Sequence, residues 1–174
     1  MFRSLKVLLP LALLSAGFLH AADPIEFTVG AFTFERPEGW GWIVPSSPMR
    51  KAQLSVPAMG GGEAGDVTFF HFGPGQGGGV KQNVDRWLAQ FQNPVADSRA
   101  EKVGAINVTF VEAAGTFSSG MPGGPTTPKE GYALRGAILE SPQGDVYVKL
   151  TGPEPLVKAA APAFEKMVKG AAGR

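Results

Sequence analysis

Two alternating stretches in the second half of the chain constrain its fold more than any other feature. Tyr132, Leu134, Gly136 and Ile138 alternate with Ala133, Arg135 and Ala137, while Val146, Val148 and Leu150 alternate with Tyr147 and Lys149. Period-2 alternation places successive side chains on opposite faces of a strand. Between the two stretches, Ser141-Pro142-Gln143-Gly144-Asp145 has the residue types of a turn. Together they predict a hairpin, and a hairpin predicts antiparallel pairing.

The same reading extends towards the N-terminus. Ile25 to Val29 and Phe32 to Phe34 flank Gly30 and predict two short strands or one bent strand. Pro37-Glu38-Gly39 turns the chain into Trp40-Gly41-Trp42-Ile43. Ala52, Leu54 and Val56 alternate with Gln53 and Ser55, and Gly60-Gly61-Gly62 leads to Val67–Phe72, apolar on both faces like an interior strand. Further strands are expected at Arg99–Val103 and from Ile106 to about Phe117.

Helical spacing occurs twice. Val80, Val84, Trp87, Leu88 and Phe91 predict an amphipathic helix over 80–92 that stops at Pro94. Leu156, Ala160, Phe164, Met167 and Val168 predict a C-terminal helix over 153–169. Thr151 and Glu154 have capping-box spacing, Pro162 is expected to kink or break the helix, and Gly170 to end it. Strands, helix, strands, helix, with hairpins dominant, define an α+β domain: a mostly antiparallel sheet packed against two helices.

The extreme N-terminus reads differently. Arg3 and Lys6 precede an apolar run from Val7 to Phe18, and Ala21-Ala22 precedes Asp23. This is the layout of a secretory signal peptide over 1–22, and it predicts an exported protein, periplasmic or extracellular. About a dozen apolar residues fall short of the roughly 20 needed to span a bilayer. Residues 23–174 then form a single domain, and about 150 residues suffice to bury a core. With 0 Cys in the chain, that core has no disulfide to support it, and there is no thiolate nucleophile or thiolate metal site.

Charge narrows the partners. Lys and Arg number 16 against 15 Asp and Glu, and they are scattered singly. No basic stretch suited to nucleic acid is present. The expected partner is a protein or another envelope component.

Two glycine-rich loops are candidate contact surfaces. Residues 73–79, Gly-Pro-Gly-Gln-Gly-Gly-Gly, lead directly into the first helix, so Gly75, Gln76, Gly77 and Gly78 could bring backbone N–H groups to a small anion at 78–80. The loop lacks the Lys-Ser or Lys-Thr of a phosphate loop and the setting of a dinucleotide site. Segment 117–130, with Gly120, Gly123, Gly124, Pro122, Pro125 and Pro128, is long for a plain connection. Trp40 and Trp42 would share a face of an extended segment and could add an aromatic patch, although core packing is the commoner use of such rings.

Chemistry is sparsely provided. His71 is the only histidine after residue 22 and sits between Phe70 and Phe72. One histidine makes no metal site, no serine lies in a Gly-x-Ser-x-Gly turn, and no cofactor motif is present. A hydrolase would have only His71 to nominate, so a non-catalytic binding or accessory protein is expected.

The opening Phe32-Thr-Phe-Glu-Arg-Pro-Glu-Gly-Trp40, the hairpin, the glycine-rich loop before an Asn83-x-x-x-Trp87 helix, the later strands and the final helix resemble the PsbP-like superfamily, in particular its exported bacterial members. The resemblance implies an antiparallel sheet between helices and a binding or accessory role. It transfers no catalytic residue, and no motif here matches the metal and cofactor associations of the photosystem member.

Overall fold

A computed structural model describes residues 23–118 and 127–174; the predicted signal peptide and the centre of the 117–130 loop lie outside the described residues. The elements run β1 (Glu26–Val29), β2 (Phe32–Glu35), β3 (Gly41–Ile43), β4 (Arg50–Val56), β5 (Gly65–His71), α1 (Val80–Leu88), β6 (Phe91–Val103), β7 (Ile106–Phe117), β8 (Lys129–Leu139), β9 (Val146–Pro153) and α2 (Glu154–Ala172). Strands β3 to β9 form one sheet in the order β3-β4-β5-β9-β8-β7-β6, and β1 pairs with β2 in a separate hairpin. Every pairing between neighbours is antiparallel. The α+β architecture and the hairpin-built sheet are as the alternation implies.

Alternation divides the sheet into two faces with different covers. One face presents Leu54, Phe69, Val108, Phe110, Val148 and Leu150 to α2 and to the β1–β2 hairpin. There Phe27, Phe34 and Phe69 form an edge-to-face and stacked cluster with centroids 5.0 to 5.7 Å apart. From α2, Phe164 is buried completely among them. Burying a large apolar side chain contributes about 1.5–3 kcal/mol, so this layer holds most of the cohesion. The opposite face is covered by α1 over half its width: Trp87 and Phe91 pack on Val111, Leu134, Ile138 and Tyr147. A Cβ on Gly136 would overlap the Trp87 ring, so glycine at this point admits the indole onto the sheet.

The first helix is shorter than its apolar spacing suggests. It ends at Leu88, Ala89 N–H closes on the Asp85 carbonyl, and Phe91 opens β6 instead of extending the helix. Its side chain nevertheless faces the same apolar cluster, so the 80–92 stripe was a true burial pattern shared between two element types. Pro94 lies inside β6, at a register shift between Gln92 and Val95 where Asn93 adopts a positive φ of 46°. An edge strand with a bulge tolerates a residue that cannot donate.

The last helix departs in the other direction. It runs continuously to Ala172, through both Pro162 and Gly170. Pro162 is exposed on the solvent side, while nine apolar residues of α2 are buried on the other. An interior proline costs roughly 3 kcal/mol, and that burial exceeds it. Thr151 belongs to β9, Pro153 is the N-cap, and no capping-box bond forms. Glu154 instead pairs with Lys158 at 2.6 Å.

Register fixes which turns share an end of the sheet. His71 lies opposite Val146, and Leu139 also opposite Val146, so the 73–79 loop stands at the same end as the 140–145 turn. Phe117 lies opposite Lys129, and Tyr132 opposite Pro153, so the described ends of the 117–130 segment stand at the other end, with the β4–β5 turn.

Candidate functional site

The strand ends that flank the two glycine-rich loops therefore lie at opposite ends of the sheet, and residues 119–126 lie outside the described residues. The 73–79 loop is held down by its carbonyls. Asn83 Nδ2 donates to the carbonyls of Gly77 (2.9 Å), Gly78 (3.3 Å) and Gly79 (3.1 Å), and the Tyr147 hydroxyl donates to Gly78 (3.0 Å). A Cβ on Gly77 would overlap the Tyr147 hydroxyl. Gly75 and Gln76 remain exposed at the loop's tip. Asn83, buried with only 3% of its surface exposed, is thus a latch between loop and helix.

The tryptophans are not a surface pair. Trp40 is 5% exposed and belongs to the core beneath β1–β2, and Trp42 is half-buried against Phe27 at 5.3 Å. Their shared face is real, but it is the inner one. His71 Nδ1 lies 3.2 Å from the Asp145 carbonyl, and Glu63 and Asp66 stand at the opposite end of β5 from it. Among the described residues no group of three or more His, Asp or Glu side chains could hold a metal ion. No helix among them is long and apolar enough to cross a membrane.

A polar cleft of about 370 Å³ opens at the other end, beside the foot of the 117–130 loop. Glu63 reaches it from the β4–β5 turn, Asp66 from β5, Phe117 from β7, Lys129 and Tyr132 from β8, and Thr151 from β9. Lys129 Nζ pairs with Glu63 at 2.8 Å and donates to the Tyr132 hydroxyl at 2.9 Å, while the Tyr132 hydroxyl donates to Glu63. The Tyr132 ring stacks on Phe117, 6.0 Å between centroids and 6° from parallel. Lys129, then Tyr132, hold the Glu63 carboxyl below its ordinary range. The bond to Glu63 raises Lys129, and burial followed by the bond to Glu63 raises the Tyr132 phenol.

Further in, on the half of the face that α1 leaves uncovered, lies a chain of polar groups. Arg50 donates to Gln53 Oε1 (3.0 Å), and Gln53 Nε2 donates to Asp66 (2.7 Å). Thr68 donates to the Lys149 carbonyl at 3.4 Å, and Lys149 Nζ donates to Gln90 Oε1 at 3.1 Å. Lys149 follows Thr151 on this same face, one step deeper than the cleft. Among the described residues no carboxylate lies within 4.0 Å of its ammonium. Burial pushes the Lys149 pKa down, an effect that Asp66 opposes and Arg50 reinforces. Around this chain three cations, Arg50, Lys129 and Lys149, stand against two carboxylates, Glu63 and Asp66.

Sequence reasoning missed these groups because they come from segments scattered between β4 and β9. One signal was available: Asp66 and Thr68 on β5, and Lys149 and Thr151 on β9, repeat at period 2 on the face opposite the apolar one.

The architecture is that of the PsbP-like fold. No family model and no curated protein matches the sequence. Among solved structures, the chain is similar to a cyanobacterial PsbP (CyanoP) from Synechocystis sp., at 10% identity and a TM-score of 0.54, covering 88% of this chain and 94% of that one. It is also similar to a Pseudomonas aeruginosa protein of unknown function described as a putative regulator, at 12% identity and a TM-score of 0.50, covering 83% and 92%.

Proposed function

We propose that residues 23–174 are an exported, non-catalytic binding or accessory module, and that the face holding the cleft and, one step beyond it, Lys149 receives an acidic group of its partner. The observation that carries this reading is Lys149 itself. A partly buried ammonium whose hydrogen-bond partner is a neutral amide oxygen is costly, because it loses hydration without gaining a counter-ion within 4.0 Å among the described residues. An incoming carboxylate or phosphate oxygen would supply the missing charge, and the net positive balance of the five surrounding groups favours it. The hydroxyls of Thr151 and Tyr132 line the approach. The only histidine among the described residues stands at the far end of the sheet from the cleft, which supports binding rather than turnover. Export rests on the charged, apolar and small-residue layout of 1–22.

The test uses the mature chain and its Lys149→Gln variant in thermal unfolding against acetate, succinate and phosphate. A ligand present at 100 times its dissociation constant adds about 2.7 kcal/mol. At least one of these anions should raise the melting temperature of the wild type and not that of the variant. A flat response to all three, or an equal response in both proteins, overturns the site. Export is tested by finding the chain outside the cytoplasm with its N-terminus at or near Asp23.

A further inference from the structure

The sheet has two very unequal edges. β3 contributes three residues at one side, whereas β6 contributes 13 at the other and, among the described residues, pairs only with β7. A strand in that position leaves a row of backbone N–H and C=O groups pointing outward, which is a template for another strand. Such edges are commonly blunted by proline, bulges or charges. In β6, Pro94 and the register shift protect only the first residues, and from Val95 to Val103 the pairing with β7 is regular. Two charges on the covered face have partners on α2, Arg99 with Glu165 at 3.0 Å and Glu101 with Lys169 at 2.8 Å, so neither leaves an unpaired charge to repel an incoming strand. Val95 is 82% exposed, and Ala96, Asp97, Ser98 and Ala100 are exposed beside it.

We propose that β6 pairs with β6 of a second copy of this chain, antiparallel and about a twofold axis at Ser98. The charge pattern selects both the occupant and the register. With Ser98 opposite itself, each Asp97 faces an Arg99 of the other copy, twice over, and each Ala96 faces an Ala100. Asp97 is suited to this, because among the described residues its carboxylate has no cation within 4.0 Å. Moving the axis to Arg99 would oppose Arg99 with itself and Asp97 with Glu101, and moving it to Asp97 would oppose that carboxylate with its copy. A slip by half that step would set the α2-covered face against the open one, which the pleat forbids. Like charges directly opposite are destabilising and unlike ones stabilising, which leaves an axis at Ser98 or one at Ala100, where Arg99 would face Glu101. Ser98 is preferred because Glu101 is already paired with Lys169 at 2.8 Å, whereas Asp97, among the described residues, has no cation of its own. Val95 then faces the stem of Glu101 from the other copy and loses its exposure. The contact is isologous and closes on itself, joining two seven-stranded sheets edge to edge.

The chain has 0 Cys, which makes a single introduced cysteine a clean reporter. Directly opposed Cα atoms in an antiparallel pair are about 4.5–5.5 Å apart, within the span of a disulfide. Three forms of the mature protein are compared: wild type and Asp97→Lys by sedimentation across a dilution series, and Ser98→Cys under mild oxidation beside the exposed control Ser46→Cys. The wild type should sediment as a dimer that dissociates on dilution. Asp97→Lys should weaken the dimer by about tenfold or more, since two attractive pairs become repulsive. Ser98→Cys should cross-link much faster than Ser46→Cys. A wild type that stays monomeric throughout overturns the proposal. So does a dimer indifferent to Asp97→Lys, or one in which Ser98→Cys cross-links no faster than the control, because either places the contact elsewhere.

Discussion

The benzo ring of Trp87 occupies the space that a Cβ on Gly136 would need. α1 is therefore seated on β8 through one glycine, and the open half of the face begins where that seat ends. Gly136→Ala should lower stability by about 1–3 kcal/mol in urea unfolding, the usual cost of forcing extra volume into a packed layer. Combining it with Trp87→Leu should cost less than the two single changes added together, because the smaller side chain relieves the overlap.

Asn83 ties three loop carbonyls to α1 with one amide nitrogen. Asn83→Leu should destabilise by about 1–3 kcal/mol, because the loop loses its latch and the Gly77 carbonyl its donor, while Gly78 keeps the Tyr147 hydroxyl and Gly79 the backbone N–H of residue 83. Asn83→Asp should be worse, because a carboxylate would face those same oxygens. If equilibrium unfolding ranks the two in the opposite order, the latch is misassigned.

Lys149 gives a pH dependence with a definite sign. Its folded pKa lies below the ordinary 10.5, so the folded state binds fewer protons than the unfolded chain between those values. Stability should rise with pH through that window, relieving a penalty that is fully present at neutral pH. Lys149→Met should consequently be at least as stable as the wild type at neutral pH, with its advantage shrinking as pH climbs towards 10.5. Denaturation midpoints measured across the range would show this, and a variant clearly weaker at neutral pH would refute the account of the desolvated ammonium.

The two tyrosines test the hydrogen bonding at opposite ends of the sheet. Burial raises both Tyr132 and Tyr147 above the ordinary 10.0, helped respectively by Glu63 and Asp145. For an acid with a raised folded pKa, the unfolded chain releases its proton first, so stability falls as pH rises above 10.0. Phenolate absorbance of the folded protein should appear only above the ordinary tyrosine range. In Glu63→Gln, Tyr132 should ionise more readily, with Tyr147 unmoved.

Local periodicity carried the fold a long way. The β8–β9 hairpin, the β4–β5 pair and the sheet-facing stripe of α1 all follow from alternation or helical spacing, because each is decided by residues close in sequence. Boundaries failed where two structures bury the same residue. Phe91 satisfies a helical stripe and a strand equally well, and Pro94 reads as a helix stop although it sits in an edge bulge. Pro162 and Gly170 look like breakers, yet the buried face of α2 carries the helix through both. The site was less legible. Glycines attract attention as flexible loops, but Gly77 and Gly78 are fastened by Asn83 and Tyr147, which no local pattern announces. Lys149, Gln90, Asp66 and Glu63 meet only through strand order, and strand order is a non-local property.

The most direct measurement is a side-chain NMR titration of the Lys149 ammonium, carried out with and without succinate. The account predicts a pKa below that of ordinary lysine in the free protein, rising on addition of succinate as a carboxylate reaches the partly buried ammonium. A Lys149 that titrates like a surface lysine, or one whose titration succinate leaves unchanged, would contradict it.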